Sequence, residues 1–269
     1  MAMIRAGAAE LYCERRGAGE PLLMIQGLGA NGLHWGEPFL AELERDFELV
    51  VFDNRGVGRS APLAGADVTT ASLAADTLAL LDAIDLRRVH VLGISMGGMV
   101  AQELALAAPE RVRTLTLGCT SCGGTQSRQT DQEVIRELTA AVLSRDMDRM
   151  LRTAFELVVS PAFAGDPAHY ADFVVAARHH PPDIPLLMAQ QAAAVAHDSY
   201  ARLRGLQVPT LVLHGTGDRL VAPVNGDLVA SLIPGARLEL LQGAGHLFFW
   251  ERPQEAARLV RAHAGARRA

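Results

Sequence analysis

The stretch that decides the fold is HVLGISMGGMV, residues 90–100, in which a serine stands at the centre of a Gly-x-Ser-x-Gly pattern. A predicted strand leads into Ser95 and a predicted helix follows it, which is the context that gives this pattern a meaning. The turn between them is so tight that Gly93 and Gly97 must leave space where a Cβ would collide, and Gly98 adds more. Ser95 is therefore predicted to be a nucleophile at a helix N-terminus, where developing negative charge is favoured.

Strands and helices alternate on both sides of this turn. Short apolar runs predict strands, and segments with apolar residues at helical spacing predict helices. The predicted strands lie within residues 9–17 and at 21–26, 47–53, 88–93, 111–118, 208–215 and 236–242, and the helices at 34–45, 71–85, 96–109, 223–233 and 253–263. This alternation predicts an α/β fold with a mostly parallel central sheet and helices on both faces.

The strand signal disappears between residues 120 and 205, where Ala, Leu, Arg and Met recur at helical spacing. A segment of this length is too long for a loop, so it predicts a helical insertion between two strands. We expect the insertion to form a cap or lid beside the carboxyl ends of the strands, where α/β sheets bind ligands. The expected organisation is a core of residues 1–119 and 206–269, with a helical cap at 120–205.

A serine hydroxyl needs a base, and the base needs an acid to orient it. His246 lies in LLQGAGHLFFWERP, on a glycine-rich loop directly after a strand, and Asp218 lies just beyond a strand end in HGTGDRLVAP. The alternatives are a turn histidine and a helix-capping aspartate. The other histidines have ordinary structural interpretations, with His90 in a strand, His214 at a strand end and His263 in the last helix. The order Ser95, Asp218, His246 is that of the α/β-hydrolase triad.

The chain resembles α/β-hydrolase-fold enzymes over nearly its whole length. The resemblance is carried by QGLG (26–29), FDNRGVGRS (52–60), GISMGG (93–98), PTLVLHGTGD (209–218) and GAGH (243–246), in that order. It implies an oxyanion hole formed by the backbone N–H groups of Met96 and Leu28. Many relatives have His-Gly where this chain has Gln26-Gly27. Because the oxyanion is bound by backbone amides and not by this side chain, we expect the hole to be retained.

The expected function is hydrolysis of a small or medium carboxylic ester or lactone through an acyl-enzyme on Ser95, without a metal or organic cofactor. Serine at this position excludes haloalkane dehalogenases and soluble epoxide hydrolases, which resemble this chain but use a carboxylate nucleophile. Enol-lactone hydrolases, methyl esterases, C–C bond hydrolases and cofactor-free haloperoxidase-like perhydrolases all keep the serine. A non-catalytic ligand-binding protein of the same fold is a further alternative, against which the complete triad argues.

Composition excludes several other classes. All 25 basic residues are arginine, so Schiff-base chemistry, a Ser–Lys dyad and a P-loop NTPase are ruled out. A net charge of -5 gives no reason to expect nucleic-acid binding. No apolar run is long enough for a transmembrane helix, and residues 1–17 lack the apolar stretch of a signal peptide. We therefore expect a cytoplasmic protein that acts on a small molecule and does not bind a membrane. Whether it forms an oligomer of identical chains is left open.

Three further patterns receive structural interpretations. GVGRSA, residues 56–61, mimics a dinucleotide-binding pattern but is followed by Pro62 rather than a helix, so it is interpreted as a turn that Asp53 and Arg55 stabilise. The adjacent pair His179 and His180 cannot face one metal site on a helix and is expected on the cap surface, with pocket lining as the alternative. Cys119 and Cys122 form a CxxC without zinc-site partners, and free thiols are expected, with a redox role as the alternative.

Overall fold

A computed structural model describes residues 1–62, 67–181 and 183–265. Within them one sheet contains β1 (Ala2–Ala6), β2 (Ala9–Gly17), β3 (Glu20–Ile25), β4 (Phe47–Phe52), β5 (Val89–Ile94), β6 (Val112–Gly118), β7 (Thr210–Gly215) and β8 (Arg237–Leu241). The strand order is β1-β2-β4-β3-β5-β6-β7-β8. Pairing is antiparallel for β1–β2 and β2–β4 and parallel from β4 to β8, which confirms the predicted sheet.

Alternate residues of each strand point to opposite faces of the sheet, and both faces are covered. Leu23 and Ile25 belong to one buried cluster, whereas Leu22 and Met24 belong to the other. The first face is covered by α2 (Thr70–Ala83), α3 (Met96–Ala107) and α9 (Val224–Leu232), and the second by α1 (Glu37–Leu43), α10 (Phe248–Glu251) and α11 (Pro253–Gly265). The two layers explain why the parallel strands are continuous apolar runs.

Two predicted features differ from the structure near the N-terminus. The edge strand β1 was not predicted; only Ala6 of its five residues is buried, and apolar and polar residues do not alternate along it. The helix predicted at 34–45 is divided at Gly36, which has φ 73° and separates a short 3-10 helix (Gly32–Trp35) from α1. A left-handed residue cannot continue a helix, so the chain changes direction there.

Between β6 and β7 the described residues form the α-helices α4 (Gln132–Leu143), α5 (Met147–Val158), α6 (Pro161–Ala164), α7 (Pro167–Arg178) and α8 (Ile184–Ala196). We call α4–α8 the helical insertion. It has its own apolar cluster around Phe155 and Phe173, against which Trp250 and Leu247 of the core pack. Its two ends are joined by bonds from Gly124 N to His197 O and from Ser199 N to Cys122 O.

The helical character expected for residues 120–205 is therefore present, while the division of the chain into core and cap stays a prediction. Residues 63–66, 182 and 266–269 lie outside the described part, so the end of the predicted core segment 206–269 is not covered. No helix in the described ranges has the length and apolar character needed to cross a bilayer.

Candidate active site

Ser95 occupies the turn between β5 and α3 with a strained backbone. Its φ is 57° and its ψ is -123°, in a region that non-glycine residues rarely adopt. Two hydrogen bonds fix this conformation: Ser95 N donates to Gly118 O at 2.9 Å, and Thr120 Oγ1 donates to Ser95 O at 2.7 Å. Strain that the surroundings enforce in this way is typical of functional sites. Ser95 is half-buried, so its hydroxyl can meet a ligand.

The glycines around Ser95 are required by close approach. A Cβ on Gly93 would lie 2.8 Å from Ala101 Cβ, and one on Gly98 would lie 2.6 Å from Thr120 Cβ. A Cβ on Gly97 would overlap the backbone carbonyls at the end of β3. The steric interpretation of the Gly-x-Ser-x-Gly-Gly pattern is thus consistent with the geometry of the turn.

Asp218 and His246, which follow β7 and β8, form a buried pair. His246 Nδ1 lies 2.7 Å from Asp218 Oδ2, and Asp218 Oδ1 accepts from the backbone N–H groups of Leu220 and Val221 at 2.8 and 2.9 Å. Burial opposes ionisation of this carboxyl, but the charge of His246 and hydrogen bonds from His214 and His246 outweigh it and lower its pKa. Asp218 is therefore an anion at neutral pH, oriented on both oxygens.

His214 is a contact of this pair that the sequence interpretation missed. It is fully buried, and its Nε2 lies 2.9 Å from Val221 O and 3.3 Å from Asp218 Oδ2. Its Nδ1 is buried without a hydrogen-bond partner. Nε2 must then carry the proton, because Val221 O can only accept. The available signal was a histidine at the end of the apolar run LVLHG, since a buried polar group needs a partner.

Cys119 is the second neighbour that was missed. It follows β6 with φ 43°, and its Sγ, a carboxylate oxygen of Asp218 and a ring nitrogen of His246 all lie within 4.8 Å of one another. Burial raises the pKa of this thiol well above its usual value. Cys119 and Cys122 are both free and buried, as expected for ordinary thiols.

The three predicted triad residues share one edge of the sheet. Ser95, Asp218 and His246 follow the carboxyl ends of β5, β7 and β8, which is where parallel sheets place functional side chains. In the described part of the chain no hydrogen bond joins the Ser95 hydroxyl to His246. Such bonds are often long in enzymes without substrate and tighten in the complex.

The turn formed by residues 27–30 lies against Ser95. A Cβ on Gly27 would be only 3.1 Å from Ser95 Cβ. Gly27 N donates to the Gln26 side chain at 3.1 Å, and Ala30 N donates to Gly27 O at 3.2 Å. The glutamine that replaces the usual histidine thus holds the start of the turn with its own side-chain oxygen.

The backbone amides of Leu28 and Met96, both near Ser95, have no partner among the described residues. Gly29 N donates to Gln190 Oε1 at 2.7 Å, so Leu28 N is the one amide of the turn that no described residue accepts from. Met96 N, directly after Ser95, is likewise unpaired within the described residues. An amide that neighbouring groups leave unpaired beside a nucleophile can donate to a ligand oxygen.

The remaining candidates have structural contacts. Asp53 accepts from Gly32 N at 2.7 Å and from Arg59 N at 3.0 Å, and Arg55 Nε donates to Asp76 at 2.5 Å, so these residues tie down the loop that contains GVGRSA. His179 and His180 are exposed and stack edge to face at 4.6 Å, which places them on the surface.

Comparison with known proteins shows the family. A family model described as alpha/beta hydrolase fold matches residues 20–253. "Putative carbamate hydrolase RutD" of Azorhizobium caulinodans is 30% identical, over 92% of each chain. The poly(3-hydroxyalkanoate) depolymerase of Ectopseudomonas oleovorans is 31% identical, over 89% of this chain and 82% of its own. An esterase of Thermogutta terrifontis, with 26% identity, superposes with a TM-score of 0.78 over 97% of this chain and 96% of its own. The chain belongs to the α/β-hydrolase family.

Proposed function

We propose that this protein is a serine hydrolase that cleaves a small or medium carboxylic ester or lactone through an acyl-enzyme on Ser95. The observation that carries the proposal is the strained Ser95 turn with two unpaired amides beside it, on the sheet edge that also holds the Asp218–His246 pair. These are the parts that acyl transfer needs: a nucleophile, an oriented base and donors for an oxyanion.

In the proposed mechanism, His246 Nε2 takes the proton of Ser95 as its oxygen attacks the substrate carbonyl. Asp218 holds the proton on Nδ1, so that Nε2 is the basic nitrogen, and stabilises the imidazolium that forms. The negative charge on the tetrahedral intermediate is bound by the N–H groups of Leu28 and Met96. His246 then protonates the leaving alcohol, and the same residue activates water to cleave the acyl-enzyme.

The helical insertion is proposed to be a cap over an apolar pocket, with its Met, Leu and Phe side chains setting acyl or alcohol preference. The esterase and the polyester depolymerase among the comparisons support an ester substrate. The relative named for carbamate hydrolysis makes a carbamate the second candidate, because its carbonyl passes through the same kind of tetrahedral intermediate. Carbon–carbon bond hydrolysis and perhydrolysis would use the same three residues.

The test is turnover of a graded series of p-nitrophenyl esters, a γ-lactone, a phenyl carbamate and a dienoic ketone by wild type and Ser95→Ala. The proposal expects release of p-nitrophenol from the esters, or formation of a hydroxy acid from the lactone, and neither product with the variant. Release of an amine-derived product from the carbamate alone would assign the second candidate. Cleavage of the ketone alone, to a carboxylate and a ketone-derived product, would assign carbon–carbon hydrolysis. Equal turnover by Ser95→Ala would overturn the mechanism.

A further inference from the structure

We infer that Gln190, a residue of the helical insertion, is a positioning residue for the oxyanion hole. It holds the turn of residues 27–30 so that the Leu28 amide faces Ser95. The inference rests on the proposed function, because it concerns the donor that this mechanism assigns to Leu28. Under this inference, a residue of α8, far from the turn in sequence, helps to form the oxyanion hole.

The contact is direct and buried. Gln190 lies in α8 with no exposed surface, and its Oε1 accepts the Gly29 N–H at 2.7 Å. A second bond joins the same loop to the insertion, from Asn31 Nδ2 to His179 O at 2.8 Å. The loop that carries the Leu28 amide is thus held by the insertion at two points.

The bond acts on the most adjustable part of the turn. Ala30 N donates to Gly27 O, and Gly29, the third of the four residues, has φ 67°, as a type II turn requires. The N–H that Gln190 accepts belongs to the central peptide, between Leu28 and Gly29. A type I turn differs mainly by a flip of this peptide. Gln190 therefore selects one orientation of the Leu28–Gly29 peptide and so restricts the torsion angles of Leu28.

The same bond decides which amide stays available. With Gly27 N on Gln26 Oε1 and Gly29 N on Gln190 Oε1, the two amides flanking Leu28 are occupied by side chains. Leu28 N is left to donate to a substrate oxygen. Without Gln190, Gly29 N would compete for that oxygen or bind water.

A glutamine at this buried position is energetically unfavourable, which suggests that its side chain has a specific role. Gln190 Nε2 is buried and has no hydrogen-bond partner among the described residues, which is unfavourable for a polar atom away from water. An apolar side chain of similar length would fill the same space without that penalty. The Oε1 bond to the turn is the contact that such a side chain could not replace.

The experiment compares Gln190→Met with Gln191→Met, a matched control on the next residue, which is exposed. Steady-state kinetics use p-nitrophenyl butyrate, and inhibition uses an alkyl trifluoromethyl ketone, whose adduct carries an oxyanion. Gln190→Met is expected to lower kcat by about 10- to 100-fold with KM within about twofold, since the hole acts in the transition state. Affinity for the ketone should fall by a similar factor. Gln191→Met should match the wild type.

A kcat within about twofold of wild type, or a kcat loss without weaker ketone binding, would overturn the inference, since positioning of the hole must change both quantities. If Gln190→Met fails to fold, Gln190→Asn keeps the polarity but withdraws the oxygen by one methylene, and the same outcomes apply. A wild type that turns over neither the esters nor the lactone would instead overturn the proposed function. Hydrogen exchange at the Gly29 amide, faster in Gln190→Met or unchanged, would then decide whether Gln190 holds the turn.

Discussion

His246 Nδ1 and Asp218 Oδ2 are 2.7 Å apart in a buried environment, and backbone N–H groups occupy the other carboxylate oxygen. Both carboxylate oxygens of Asp218 therefore accept from donors. In Asp218→Asn, the amide NH₂ would face at least one of these donors. It would also favour the His246 tautomer in which Nδ1 lacks the proton. We expect kcat on p-nitrophenyl butyrate to fall by about 10³- to 10⁴-fold.

Asp227→Asn is the control for this change, because Asp227 is an exposed residue of α9. It should keep wild-type kcat, and both variants should keep the wild-type circular dichroism spectrum. A loss of less than about tenfold in Asp218→Asn would mean that another carboxylate orients His246.

His214 approaches the same carboxylate oxygen of Asp218 as His246 does, with its Nε2 3.3 Å from Oδ2 and 2.9 Å from Val221 O. His214→Leu removes this donor and leaves Val221 O unpaired. The free energy of unfolding in urea should fall by about 1–3 kcal/mol, and kcat by about tenfold. His214→Gln keeps a side-chain N–H of similar reach, so it should retain most of the wild-type free energy of unfolding and most of the wild-type kcat. Equal losses in the two variants would contradict the assigned hydrogen bond.

Gly27 is expected to be sensitive to a single methyl group. A Cβ there would lie 3.1 Å from Ser95 Cβ, which is tighter than nine in ten such contacts, and 3.6 Å from Ser95 Oγ. Gly27→Ala should lower kcat by about tenfold or more, because the nucleophile and the adjacent turn must move apart. The control is Gly205→Ala, where an added Cβ has no atom within 4 Å. Wild-type kcat in Gly27→Ala would show that the turn and Ser95 can separate without cost.

Glu103 links α3 to the segment that follows the insertion. Its carboxylate accepts from Arg202 Nη1 and Nη2 at 2.7 and 2.5 Å. Burial opposes ionisation, but the hydrogen bonds from Arg202 and His197 prevail and lower the pKa of Glu103 to about 2. A lowered folded-state pKa contributes stability that is complete above the unfolded value near 4.5 and is lost as pH falls toward 2.

We therefore expect Glu103→Gln to be less stable than wild type at pH 7 and to lose less stability between pH 5 and pH 3. Urea denaturation across this range measures both effects. Glu133→Gln, at an exposed position of α4, should follow the wild-type curve. If the free energy of unfolding of wild type and of Glu103→Gln changed with pH in parallel, the lowered pKa assigned to Glu103 would be contradicted.

The sequence pattern predicted the parallel strands well, because strands buried on both faces are continuous apolar runs between glycine-rich turns. It predicted Ser95, Asp218 and His246 as one group because each follows a predicted strand. Strand β1 was missed because apolar and polar residues do not alternate in its five residues, AMIRA.

The contacts around the candidate site could not be predicted in the same way. His214 lies in the last part of β7 and Cys119 follows β6, but their role depends on distances to Asp218 that no local pattern contains. Gln190 lies in a helix rich in alanine, and only the folded chain brings it to Gly29, 161 residues away. Such pairings depend on how the insertion packs on the core, so composition and periodicity carry no signal for them.

The central claim is that Ser95 carries the acyl group, and its most direct test is the mass of the protein after reaction with an alkyl fluorophosphonate. The account predicts a single adduct, located on Ser95 by peptide mapping, that is absent from Ser95→Ala and strongly slowed in Asp218→Asn. An adduct on another residue, or equal labelling of Ser95→Ala, would contradict it.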